Sequence, residues 1–150
     1  LFGALGFGYL QDKIGAKITY MMTLVLWIIA IICIFLTDSI AASLGVKPEQ
    51  AFLIVGCLAG AGLGATQSAG RALVGVFSPE SKAGEFFGLW GLIGKLAAAI
   101  GVFGVAALQT QLGLRLAILF CALLFVAGLL FVIPVNEKRG QAAAEKHEGE

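Results

Sequence analysis

Lys95 stands in the middle of an apolar run, residues 84 to 109 (GEFFGLWGLIGKLAAAIGVFGVAALQ). Ten residues separate it from Glu85 near the start of that run. If the run crosses a bilayer as a helix, those ten residues span about 15 Å and place the ammonium near the midplane. A lysine there costs on the order of 3 kcal/mol on insertion scales, so it should face protein or a watery cavity. Snorkelling from that depth is difficult. Three roles fit: an ion pair with a carboxylate elsewhere in a longer chain, a cationic contact for the carboxylate of a bound small molecule, or a lock between conformations. Glu85 lies within about 80° of Lys95 around a helix but too far along the axis for a salt bridge, so the two line one path without pairing.

Lys95 also belongs to a pattern. Gly56, Gly60, Gly64, Gln67 and Arg71 follow one another at steps of four, four, three and four, one face of a helix. Gly84, Gly88, Gly91, Lys95 and Ala98 repeat the device at steps of four, three, four and three. In lipid, small residues at this spacing serve close backbone approach, so both stripes are expected to pack tightly against neighbouring helices. Gln67 offers a hydrogen bond on the first stripe. Arg71 ends it, either as a solvated cation at the helix C-terminus or paired with Glu85 across the connection SPESKAG, where Ser78 before Pro79 is a plausible helix start.

The elements that carry these residues follow from composition. Of 150 residues, 59% are hydrophobic and 13% charged, and the mean hydropathy is +0.98. A soluble domain charges about a quarter of its residues, so this chain cannot cover itself in water, and lipid is its expected solvent. A net charge of +1 carries no basic footprint for nucleic acid. Uncharged runs at 18–37, 51–70 and 116–136 are long enough to cross a bilayer, and 85–109 makes a fourth span. With residues 1–10 as the end of an earlier helix, the expected helices are 1–10, 18–37, 51–75, 85–109 and 115–134. Residues 137–150 form a polar tail, read as disordered or a frayed helix. The chain begins at Leu1 within an apolar stretch and without a signal peptide's charged front, so a fragment with its upstream part missing is expected.

Alternating spans put 11–17, 72–84 and the tail on one side. That side carries Lys13, Lys17, Lys82, Lys138, Arg139 and Lys146, with Arg71 at its edge, whereas the other side has Lys47 and Arg115. The positive-inside rule therefore makes the first side, and the C-terminus, cytoplasmic. Cys33, Cys57 and Cys121 lie far apart in apolar runs and read as buried hydrophobes, and His147 stands alone in the tail. No nucleophile elbow, zinc-helix or phosphate-loop motif is present, so neither an enzyme nor a cofactor or metal site is expected.

The segment GYLQDKIGAK, positions 8–17, has the form G-x-x-x-D-[RK]-x-G-x-[RK] and resembles the loop signature of the major facilitator superfamily. In physical terms Gly8 permits close helix approach, Asp12 can sit at a helix terminus or pair with a basic neighbour, Gly15 permits the turn, and Lys13 and Lys17 hold the loop inside. The stretch 67–95 is similar to the vacuolar-effluxer, autophagy-related branch of that superfamily. Gln67, Ser68, Arg71, Leu73, Pro79, Ala83, Glu85, Phe86, Phe87, Gly88, Gly94 and Lys95 lie on the branch pattern. Gly70 stands where a serine is usual, Trp90 where a tyrosine is usual, and Val102 where a proline often follows Gly101. These departures bear on the substrate and leave the fold unchanged.

The resemblance implies an all-α membrane protein, the C-terminal part of a twelve-helix fold from the end of helix 8 through helix 12. Its missing N-terminal half would be its partner, with the substrate site between the halves. It further implies secondary transport of a small polar solute by alternating access, with amino-acid efflux as the activity of the vacuolar relatives. Lys95 would then meet an anionic group of the solute, Gln67 would orient it, Arg71 and Glu85 would line the pathway, and the Asp12 loop would form part of a gate. A transporter-derived scaffold or receptor without turnover, or a lipid flippase, would use the same helices.

Overall fold

In a computed structural model, residues 2–148 are described and fold as helices, with no strand among them. The order is α1 (Phe2–Ile14), α2 (Ala16–Phe35), α3 (Thr37–Leu44), α4 (Pro48–Phe77), α5 (Ala83–Leu112), α6 (Leu114–Val132) and α7 (Glu137–Glu148). A single 3-10 turn, Glu80–Lys82, precedes α5. Four helices are long and apolar enough to cross a bilayer: α2, α4, α5 with its preceding turn, and α6. They match the four expected spans, although α4 and α5 run to 30 residues each. Thirty residues of helix measure about 45 Å, more than the roughly 30 Å of hydrocarbon, so both helices tilt or protrude.

The boundaries differ from the apolar runs because polar residues carry the helices further. Pro48 opens α4 at the position where its missing N–H is no loss. The Lys47 N–H just before it donates to Gln50 Oε1 at 3.2 Å. At the other end, Ser78 closes α4 by donating its hydroxyl to the Val74 carbonyl, and α5 begins at Ala83 rather than at Ser78. The 11–17 connection is also mostly helical: Gly8, Asp12 and Lys13 lie on α1, and the chain breaks at Gly15 alone, whose φ of 89° only glycine adopts freely. Gly113, at φ 84°, is likewise the single residue between α5 and α6.

The core centres on α2. Trp27 stacks on Phe125 of α6, with centroids 5.2 Å apart, and donates its indole N–H to Thr66 of α4 at 2.9 Å. Thr19 and Thr23 are completely buried and turn their hydroxyls back to the Gly15 and Tyr20 carbonyls, which leaves no polar group unsatisfied in the apolar packing. Of the six buried residues of α4, Ala51, Val55, Gly62, Ala65 and Ala69 share one face, small residues that bring its backbone close to the neighbouring helices, and Gly70 lies to one side of it. The stripe Gly56–Gly60–Gly64–Gln67–Arg71 lies about 180° away around that helix. Its expected packing role is accordingly not met among the described residues: Gly56 and Gly60 face open space, as do Gly84, Gly88 and Gly91 on α5 and Gly8 on α1. Close approach is instead made at Gly62 against Trp27, Gly104 against Phe120, and Gly140, where a methyl group would overlap the ring of Phe77.

The tail is neither disordered nor frayed over residues 137–148. It forms α7 against the end of α4, with Ala144 buried. Glu137 at its start reaches the first turn of α2, where its two carboxylate oxygens accept the backbone N–H groups of Ala16 and Lys17 at 3.0 and 3.1 Å. A carboxylate there satisfies two orphan donors and complements the positive end of the helix dipole. Lys17 returns the link by donating from Nζ to the Ile133 carbonyl at 2.7 Å, just beyond the last turn of α6.

Removing this clasp should be felt throughout the bundle. Glu137→Ala is expected to lower unfolding stability in detergent by about 1–2 kcal/mol, read as an earlier melting midpoint, with Glu137→Gln intermediate. Gly15→Ala should match it, since a Cβ at that positive φ would stand 3.3 Å from the carboxylate. Unchanged melting in both alanine variants would mean that the clasp contributes nothing.

Candidate functional site

A cavity of about 410 Å³ lies where α2, α4 and α5 meet. From α4 it receives Thr66, Gln67, Gly70 and Arg71; from α5, Trp90, Gly91, Gly94, Lys95 and Ala98; and from α2, Tyr20. Gln67, Arg71 and Lys95, singled out on separate stripes of the sequence, are thus gathered around one space. The stripes explain why the space exists. Gly91, Gly94 and Ala98 keep the α5 wall low beside Lys95, while Gly64 lies in a second hollow of about 610 Å³ that shares Gln67 and Arg71 with the first.

Depth follows from helix position. Lys95 is twelve residues into α5, about 18 Å along its axis, and Gln67 is ten residues from the end of α4, about 15 Å. The two helices run in opposite directions from one short connection, so Gln67 and Lys95 stand at nearly the same level along the bundle. Arg71 sits one turn nearer the connection. At that end Gly70 is wedged between two rings: an added Cβ would lie 3.5 Å from Tyr20 and 3.7 Å from Trp90. Trp90 is held edge-on by Phe87, with centroids 6.4 Å apart.

Thr66 is already engaged, accepting from Trp27 and donating to the Gly62 carbonyl at 2.8 Å. Arg71 and Lys95 carry neither a hydrogen bond nor an ion pair among the described residues, and no acid lines the cavity. Of the two alternatives for Arg71, the ion pair with Glu85 is not formed among the described residues, and Glu85 is exposed outside the cavity lining. Such a wall can hold an anion: guanidinium presents a fork that matches a carboxylate, ammonium supplies a point charge, and the Gln67 amide can both donate and accept. Among the described residues no three His, Cys, Asp or Glu side chains come together to hold a metal ion.

The loop residues lie elsewhere. Asp12 is exposed and without an ion-pair partner among the described residues, and Lys13 rests 4.6 Å over the Tyr9 ring. At the opposite end of the bundle Arg115 meets Asp38 at 3.0 Å, joining α6 to α3 beside an apolar hollow of about 590 Å³. Sequence reasoning did not find Tyr20, Glu137 or the Asp38–Arg115 pair as contacts. Tyr20 is one aromatic in a span full of apolar residues, and the other contacts bridge residues far apart in the chain, which leaves no local spacing to read.

The wedge at Gly70 sets a steric limit. Gly70→Ser should fit, with ordinary van der Waals contact to both rings and stability within about 0.5 kcal/mol of the parent. Gly70→Leu should overpack the mouth and cost about 1–3 kcal/mol, measured by thermal unfolding in detergent. Equal tolerance of serine and leucine would contradict the placement of Tyr20 and Trp90.

Comparison with known proteins agrees with the helical membrane architecture. The family model described as Major Facilitator Superfamily matches residues 1–149. No curated protein and no solved structure matches the chain. With four helices able to cross a bilayer and a family match along nearly its whole length, the chain belongs to the major facilitator superfamily of secondary transporters and is an integral, multi-pass membrane protein.

Proposed function

We propose that the chain binds and moves a small carboxylate-bearing solute by alternating access, and that an amino acid, in the efflux direction, is the favoured solute class. The observation that carries this reading is the cavity lined together by Gln67, Arg71 and Lys95, with no acid beside the two cations among the described residues. Lys95 contacts the solute carboxylate, Gln67 orients it by a hydrogen bond, and Arg71 holds the approach from the connection end. Glu85, outside the lining, lies on the path toward the cavity. The preference for amino acids rests on the likeness of residues 67–95 to the vacuolar-effluxer branch.

On the same likeness, α1 is the end of helix 8, and α2, α4, α5 and α6 are helices 9 to 12, rocking against a companion half. The end bearing Gly15, Ser78 and Glu137 faces the cytoplasm because Lys13, Lys17, Lys82, Lys138, Arg139 and Lys146 gather there. At that end Gly8, Asp12, Lys13, Gly15 and Lys17 form a gate. Asp12, exposed and uncommitted, supplies the charge that the gate makes and breaks against its companion.

Reconstituted into liposomes together with its companion half, the chain should support saturable counterflow of a labelled amino acid. Lys95→Ala should reduce its apparent affinity on the order of tenfold to a hundredfold with normal insertion, the loss expected for one charge-assisted contact. Asp12→Ala should slow exchange several-fold with little change in binding. Undiminished transport by Lys95→Ala would refute the contact, and undiminished exchange by Asp12→Ala would remove the gate. Movement of a fluorescent lipid without solute flux would point to a flippase, and no movement of either to a scaffold.

A further inference from the structure

The cavity between α4 and α5 holds more positive charge than one carboxylate requires. Arg71 and Lys95 both border it, and among the described residues no aspartate or glutamate does. Two cations that line one cavity repel each other, and a solute with one negative charge relieves only one of them. Their stagger suits a second acidic group. Arg71 is six residues from the end of α4 and Lys95 twelve residues from the start of α5, so their backbones are offset by about 9 Å along the bundle, a gap that two long side chains and a short solute can bridge.

The rest of the lining gives little to a positive group. A solute ammonium would meet the Gln67 carbonyl, the Tyr20 hydroxyl and the rings of Tyr20 and Trp90, with Thr66 already engaged by Trp27, and none of these neutral groups attracts a cation as a carboxylate does. A neutral zwitterion therefore carries one charge that the cavity welcomes and one that two cations disfavour.

We infer that the cavity recognises a solute with two carboxylates, the Arg71 guanidinium taking one and the Lys95 ammonium the other, in preference to a monocarboxylate or a neutral amino acid. This rests on the transport reading above and narrows its substrate class. A plain dicarboxylate and an acidic amino acid share the chemistry, and both are included.

The test is counterflow by the reconstituted full chain of four labelled solutes, succinate, glutamate, butyrate and leucine, each into liposomes preloaded with the same unlabelled compound. Succinate, glutamate or both should saturate at concentrations on the order of tenfold lower than butyrate and leucine, the discrimination expected from one added charge-assisted contact. Success of succinate alone identifies a plain dicarboxylate, and success of glutamate alone an acidic amino acid. In Arg71→Gln the ratio between the favoured dicarboxylate and butyrate should fall to within about twofold, whereas Arg71→Lys, which keeps the charge, should retain part of it. Leucine or butyrate saturating as readily as both dicarboxylates would overturn the inference while leaving transport intact, as would an unchanged ratio in a well-folded Arg71→Gln. With the companion half reconstituted alongside, absence of saturable exchange for all four would remove the transport reading and this inference together.

Discussion

A lysine at the centre of a helix that crosses a bilayer cannot be left against hydrocarbon, and the arrangement around Lys95 answers that constraint. At the depth its place in α5 implies, twelve residues from the helix start, its ammonium would be too deep to reach an interface, and an insertion penalty on the order of 3 kcal/mol would have to be offset by water or by an anionic partner. The glycines and alanines beside it keep the α5 surface low, and the Gln67–Arg71 edge of α4 faces the same space. What is built is a polar hollow in an apolar bundle. A second cation, Arg71, borders the same space, and no acid lines it among the described residues.

The frame that holds this hollow is the α2–α4–α6 group. Trp27 joins all three at mid-height through one stacking contact and one hydrogen bond. Glu137 and Lys17 tie α2 to the end of α6 at one extremity, and Asp38 and Arg115 join α3 to α6 at the other. The two ties differ in weight. Asp38 and Arg115 are 72% and 70% exposed, so their pair contributes roughly 0–1 kcal/mol and serves mainly to set register. The Glu137 carboxylate is part-buried on two backbone donors and does more. Against this frame α5 packs chiefly on α6, with no buried residue of its own, and the gap it leaves toward α4 is the cavity.

The spans were legible because their signal is length: uncharged runs near 20 residues locate α2, α4 and α6, and one more run with a central lysine locates α5. The ends were not, since Pro48 at one end and Thr110 to Leu112 at another extend helices beyond the apolar stretch. The short helix α3 and the packed tail α7 also escaped. Their contacts depend on small residues such as Ala41, Gly140 and Ala144, which carry no hydrophobic period. Periodicity placed Gln67, Arg71 and Lys95 on small-residue stripes but misassigned what those stripes face. A step of three or four says which residues share a face and nothing about whether a helix or a hollow lies opposite. On α4 the buried face proved to be the other one, marked by Ala51, Val55, Gly62, Ala65 and Ala69.

Solute binding in this hollow requires Lys95 to line an aqueous space at mid-membrane, and thiol accessibility measures that directly. With Cys33, Cys57 and Cys121 replaced, Lys95→Cys and, as a reference on the exposed outer face of α6, Leu123→Cys would be challenged with a small, charged, water-soluble thiol reagent in sealed vesicles. Reaction at position 95 with position 123 silent is the result the account requires, because only a water-filled cavity admits a charged reagent to that depth. A silent position 95, as inert as position 123, would place it in lipid or dry packing and contradict the account at its centre.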